Sequence, residues 1–232
     1  MPEHIFRQFD AELESVRSRV LQMGGLVEQQ IMRAMEALNS GDMELMDRVI
    51  ADDHRVNALE VDLDESCSQV IARRQPAAGD LRLLITVIKT ITDLERIGDE
   101  AEKIARMAKL IHGADRLNMP RIDLSHVADH ALAMLRQALD SFARLDVSEA
   151  MRVVKQDQTV DDEFRGIMRQ LITFMMEDPR TISRSLEILF IAKAVERIGD
   201  HAKNMAEYVI YMAKGRDVRH VSLEQMEKEL LE

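Results

Sequence analysis

The chain has 232 residues and a formal net charge of −11, with 46% hydrophobic residues, 3% aromatics, no Trp and one Cys. That apolar content allows a buried core in one large domain or two small ones, and the scarcity of strand and turn formers (Gly 9, Pro 4) favours helix. The acidic balance argues against general binding to nucleic acid or an anionic membrane, and the lone Cys67 excludes an internal disulfide or a Cys-rich zinc site.

Met1 to Asp10 is polar, with no apolar core of a signal peptide, so none is expected. The spacing predicts a first helix over 5–38. Asn39-Ser40-Gly41-Asp42 then forms a turn carrying an N-cap, and a second helix runs over 42–74. Cys67 sits in that helix among acidic residues, with no sign of an activated thiolate. Gln75 to Asp80 is a stop and restart, and a third helix follows over 80–111. Its apolar residues Leu81, Leu84, Ile85, Ile88, Ile91 and Leu94 recur at helical spacing. This most apolar stretch is broken by Lys89 and Asp93 and is too short to span a membrane, so a cytoplasmic chain without membrane insertion is expected.

His112 to Leu124, with Gly113 and Pro120, is the longest interruption and the expected boundary. Helices follow over 123–144, 147–177 and 180–214, separated by the Leu145-Asp146-Val147 turn and by Asp178-Pro179, and ended by Gly215. The tail after Arg216 is expected to hold one short amphipathic helix, Leu223 to Leu231. The 16 Met residues read first as core filler, with adaptable surface as the other use. The reading is all-α: two three-helix bundles in tandem, over 1–113 and 121–215, with a tail at 216–232. Short loops make neighbouring helices antiparallel.

The second half repeats the first. Glu95-Arg96-Ile97-Gly98-Asp99 recurs as Glu196-Arg197-Ile198-Gly199-Asp200, with Ala101 and Ala105 in step with Ala202 and Ala206. A chance recurrence of such a word is about a one-in-a-hundred event in a chain of this size, and internal repeats of this kind mark repeated folds. The preceding helices agree, Asp53, Val56 and Asn57 paralleling Asp157, Val160 and Asp161.

Glu95 and Asp99, like Glu196 and Asp200, lie four apart and so share a helix face. Such pairs are ordinarily solvated acidic faces, with Arg96 and Arg197 as counter-ions. Here, however, Glu95 continues the stripe of Leu84, Ile88 and Ile91, so the carboxylate leans toward the core and needs a cation or a shifted pKa. Gly98 and Gly199 sit mid-helix, where Gly costs about 1 kcal/mol against Ala. That cost points to a neighbouring backbone close by or to room for a ligand. Asp53 with Asn57, and Asp157 with Asp161, are the facing pairs expected from the helix before. Two facing pairs offer about four oxygen donors, suited to a hard or borderline divalent cation.

Neither copy has the Glu-x-x-His of carboxylate di-iron bundles. His201 has no counterpart in the first copy, where Glu102 is expected to take a similar place. No phosphate-binding Gly-rich loop, dinucleotide turn or nucleophile elbow is present. His54, His126 and His130 read as helix-surface residues. The spacing of His126 and His130 would let them share a metal, but the sequence shows no carboxylate partner.

The doubled Glu-Arg-Ile-Gly-Asp word, Arg73-Arg74-Gln75-Pro76-Ala77-Ala78, Met175-Met176-Glu177-Asp178, and Lys214-Gly215 with Arg219-His220-Val221 resemble the PhoU family over nearly the whole chain. The resemblance implies tandem three-helix bundles, commonly homodimeric. It implies a non-enzymatic negative regulator of the phosphate-starvation response. Such a protein links the nucleotide-binding subunit of a phosphate ABC transporter to a sensor histidine kinase. It also implies metal ions on paired acidic motifs: Asp157, Asp161, Glu196 and Asp200 in the second copy, and Asp53, Glu95 and Asp99, with Asn57 in the fourth place, in the first. The metal's identity stays open among Mg, Mn, Zn, Fe and Ni. Asn57 removes one negative charge, so the first site is expected to be the weaker one, and Asn57 against Asp161 together with Glu102 against Lys203 predict two sites of unequal charge. A metal-dependent phosphohydrolase using the same carboxylates is the alternative, and a helical scaffold whose acids are merely salt-bridged is a third reading.

Overall fold

The computed structural model describes residues 2–113, 120 and 122–231. Among these, no strand occurs. The helices are α1 (Pro2–Ser40), α2 (Met43–Arg74), α3 (Ala78–His112), α4 (Ser125–Arg144), α5 (Val147–Glu177), α6 (Ile182–Lys214) and the short α7 (Leu223–Leu231). A 3-10 turn, Pro179–Thr181, leads into α6. The interruption expected over His112 to Leu124 falls largely on 114–119 and 121, which lie outside the described residues.

Local chemistry sets the breaks. Asp42 accepts a hydrogen bond from the Leu45 N–H at 3.0 Å, and Asp146 accepts from the N–H groups of Ser148 and Glu149 at 2.9 and 3.0 Å. The same cap therefore opens α2 and α5, satisfying backbone donors that the first helical turn leaves free. Gly215 closes α6 in the left-handed region at φ 74°. Asp178 is extended, as the residue before Pro179 must be.

α3 packs on α1 and α2, and α6 packs on α4 and α5, giving the two three-helix bundles. The bundles join through α3 against α6 and α1 against α4, so α3 and α6 lie at the centre. Ile91, Leu94 and Ile97 of α3 and Ile191, Val195 and Ile198 of α6 are fully buried in one continuous core. Val218 and Met226 are buried beyond α6, so the tail packs onto the core. Met23, Met46, Met134 and Met205 are core filler, whereas Met32 and Met176 are exposed. Cys67 is buried, and its thiol is pushed up to about 11 by burial and then by Asp64, which makes it inert.

The seam between the bundles is partly ionic. Arg197 Nε lies 2.8 Å from Glu100 Oε1. Buried Asp93 takes His201 Nδ1 at 2.7 Å and accepts from Asn204 Nδ2 at 3.3 Å. The expected equivalence of Glu102 with His201 is thus corrected. The register of the repeated word aligns Glu100 with His201, and both face the seam. At Gly24 of α1 a Cβ would fall 2.5 Å from Leu139 Cδ2 of α4, so a larger residue there would require the Leu139 side chain to move.

Candidate metal centre

In the second bundle the predicted residues divide. Asp161 of α5 and Glu196 and Asp200 of α6 bring one carboxylate oxygen each within 4.8 Å of one another. Asp157, one turn before Asp161, instead pairs with Lys203 Nζ at 2.6 Å. Two further cations border the triad: Lys193 Nζ lies 2.5 and 2.6 Å from the Glu196 oxygens, and Arg165 Nη2 lies 3.5 Å from Asp161. Glu196 is buried, as its position on the apolar stripe requires. Burial first, then the charges of Glu196, Asp157 and Asp161, push the Asp200 carboxyl up to about 6, and Lys193 offsets only part of this. Three convergent oxygens in a partly desolvated site with excess negative charge fit a divalent cation of the oxygen-ligating class. Lys193 pairs with Glu196, so an entering cation competes with that ammonium.

In the first bundle Asp53 is buried, and Asn57 donates its amide N–H to Asp53 Oδ2 at 3.0 Å. Burial raises the Asp53 carboxyl against that hydrogen bond, and Glu102 raises it further. Glu95 and Asp99 are also raised, first by burial, then by neighbouring carboxylates: Asp99 and Glu60 for Glu95, Asp53 and Glu102 for Asp99. Among the described residues, no three acidic oxygens of this set converge as those of the second set do. The fit to a cation rests on orphaned oxygens instead: Asp53 Oδ1, Asn57 Oδ1 and Gln30 Oε1 are buried without hydrogen-bond partners. A buried polar atom left unpaired costs about 1–3 kcal/mol, so a water or cation is favoured there.

Sequence reasoning missed Gln30 on α1, because nothing in the repeat marks it. It also missed Glu207, buried one turn after Lys203 and pushed up to about 7 by burial, against the pull of that lysine. Of the two readings of the mid-helix glycines, a close neighbouring backbone or room for a ligand, the nearest neighbours speak against the first. At Gly98 the atoms nearest a Cβ would be side-chain ones, Gln30 Oε1 at 3.2 Å, Asp53 Oδ1 at 3.3 Å and Val56 Cγ1 at 3.4 Å. At Gly199 it would meet Val160 Cγ1 at 3.4 Å and Met134 Sδ at 3.7 Å, ordinary contacts. Gly98 therefore keeps the polar pocket of Gln30 and Asp53 open, and Gly199 has no comparable steric need.

A family model for the PhoU domain matches residues 20–108 and 124–209. The phosphate-specific transport system accessory protein PhoU of Serratia marcescens is 49% identical over 231 residues, covering 99% of this chain and 94% of that protein. The protein of the same name from Escherichia coli K12 is 47% identical over 227 residues, covering 97% and 93%. The crystal structure of PhoU from Pseudomonas aeruginosa matches with a TM-score of 0.86 at 48% identity, covering 90% of this chain and 100% of that one. The phosphate transport system regulatory protein PhoU from Streptococcus pneumoniae matches at 0.80 and 26% identity, covering 90% and 99%.

Proposed function

The chain belongs to the PhoU family, and from that premise we propose that it is a cytoplasmic adapter that restrains phosphate uptake and the phosphate-starvation response when phosphate is ample. Two relatives named as accessory proteins of phosphate-specific transport align over nearly the full length of both chains, which supports a regulatory role in that system. The finer reading is a homodimer whose surface engages the transporter's nucleotide-binding subunit and a sensor histidine kinase. It biases their states only through unequal affinity for them, since a partner bound equally in every state shifts nothing. Among the described residues no helix is long and apolar enough to cross a membrane, which is compatible with action from the cytoplasmic face.

The observation that carries the site's part in this reading is the convergence of Asp161, Glu196 and Asp200. These residues would hold a divalent cation, with Asp53, Asn57, Glu95 and Asp99 as the weaker counterpart. The ion would supply charge neutralisation across α5 and α6. The boundaries 1–113 and 121–215 are those we assign to the two repeats.

The test is a deletion strain grown in high phosphate. Alkaline phosphatase is expected to rise without the chain and return with it, and unchanged repression would remove the regulatory reading. Phosphate release by the purified chain with Mg²⁺, Mn²⁺ or Zn²⁺, abolished in Glu196→Ala, would replace it with a phosphohydrolase.

A further inference from the structure

A second constellation lies on the other side of α5. His126 and His130, in the first two turns of α4, both direct Nδ1 at one oxygen of Glu163, each at 2.9 Å from Oε1. The two imidazoles stand edge to face with ring centroids 4.4 Å apart. Glu163 is two residues past Asp161, and on a helix that offset turns the side chain by about 200°, away from α6 and toward α4. The acidic triad and this cluster are therefore separate sites on one helix.

Hydrogen bonding alone leaves the cluster unfinished. His126 is aligned with Oε1, but His130 Nδ1 is buried and has no hydrogen-bond partner despite its 2.9 Å approach. The second oxygen, Glu163 Oε2, is buried and unpartnered too. Two convergent ring nitrogens and a carboxylate within ligand reach of one point form the donor set of a borderline cation. Zinc bonds of 2.0–2.2 Å in a tetrahedron put neighbouring donor atoms about 3.3 Å apart. The observed 2.9 Å separations reach that value with small side-chain rotations, and the His126 side chain is 76% exposed and free to make them.

We propose that His126, His130 and Glu163 form a zinc-class metal site at the α4–α5 edge of the second bundle, with an open, solvent-facing fourth coordination position. Two imidazoles and one carboxylate leave that position to water or to a donor from another molecule. An all-carboxylate set such as Asp161, Glu196 and Asp200 selects hard cations, whereas these nitrogens select zinc, cobalt or nickel. The inference is independent of the regulatory reading.

The test uses the full chain with Glu95→Gln, Asp99→Asn, Glu196→Gln and Asp200→Asn, so that both acidic sets are disabled. Zn²⁺ is titrated in competition with a chromophoric chelator, and Co²⁺ is added separately to read the ligand-field spectrum. The expected result is one zinc per chain and a tetrahedral cobalt spectrum. Adding His126→Ala and His130→Ala should abolish both, and Glu163→Gln should weaken zinc at least about tenfold. Because the histidines are at the surface end of α4, the helical circular dichroism should stay unchanged. Zinc stoichiometry that survives the double histidine variant, or no zinc bound more tightly than about 100 μM, would overturn the proposal.

Discussion

Asp200→Asn is expected to make the metal-free protein more stable, although it removes a residue of the candidate metal centre. The Asp200 carboxyl is raised from 3.8 to about 6, chiefly by burial and by Glu196. A group whose folded pKa is raised penalises the folded state once it is ionised. The penalty is absent below 3.8, grows through the interval and is complete above about 6. About two pK units correspond to about 3 kcal/mol, and the partly solvated position of Asp200 reduces this to roughly 1–3 kcal/mol. The neutral amide escapes that penalty. In chelator at pH 7.5 the variant should melt roughly 3–9 °C higher than the parent, and the gap should close as the pH falls toward 4. A divalent cation should invert the order. At a hundredfold excess over Kd the parent gains about 2.7 kcal/mol, which the variant, lacking one ligand, largely forgoes. Calorimetric melts at three pH values, with and without Mn²⁺, decide it. A variant less stable than the parent in chelator at pH 7.5, or a gap that ignores pH, would refute the electrostatic account.

Lys193→Met should tighten cation binding at the triad about two- to fivefold, because it removes the ammonium that competes for Glu196; weaker binding by calorimetry would contradict this. Lys203→Met leaves buried Asp157 without its cation and should cost about 1–3 kcal/mol, read as a lower urea midpoint; an unchanged midpoint would show that Asp157 finds other compensation. Gly199→Ala should stabilise by about 0.5–1 kcal/mol, since its Cβ meets only ordinary contacts, whereas Gly98→Ala should gain less or destabilise by crowding Gln30 and Asp53; equal effects would refute that distinction.

The long helices were legible because their burial follows one period. Leu84, Ile91 and Leu94 are buried as the stripe requires, and caps at Asp42 and Asp146 mark the same place in each repeat. The lean of Glu196 into the core was legible for the same reason. What escaped the sequence was pairing between helices distant in the chain. His201 and Asp93 are 108 residues apart, and Glu163 meets His126 across 37. No periodicity within a helix tells which side chain of another helix will face it. The substitution of Lys203 for Glu102 was visible, but its consequence was not, because Lys203 reaches Asp157 rather than Asp200.

That same substitution turns the comparison of the two acidic sets into a contest. Counting only Asn57 makes the first set the less negative. Its surroundings reverse this, since Glu60 and Glu102 add charge there, while Lys193, Lys203 and Arg165 border the second. Net charge alone would therefore favour the first set. Coordination decides otherwise, because an oxygen-ligated cation needs several donors within about 2.0–2.6 Å, and charge several ångströms farther away is screened. Three oxygens converge at Asp161, Glu196 and Asp200, and the second set should be the tighter site. Glu196→Gln with Asp200→Asn should remove the high-affinity phase of a Mn²⁺ titration, and Glu95→Gln with Asp99→Asn only a weaker, more salt-sensitive phase. If the pair on α3 removes the tight phase instead, long-range charge outweighs donor convergence in this protein.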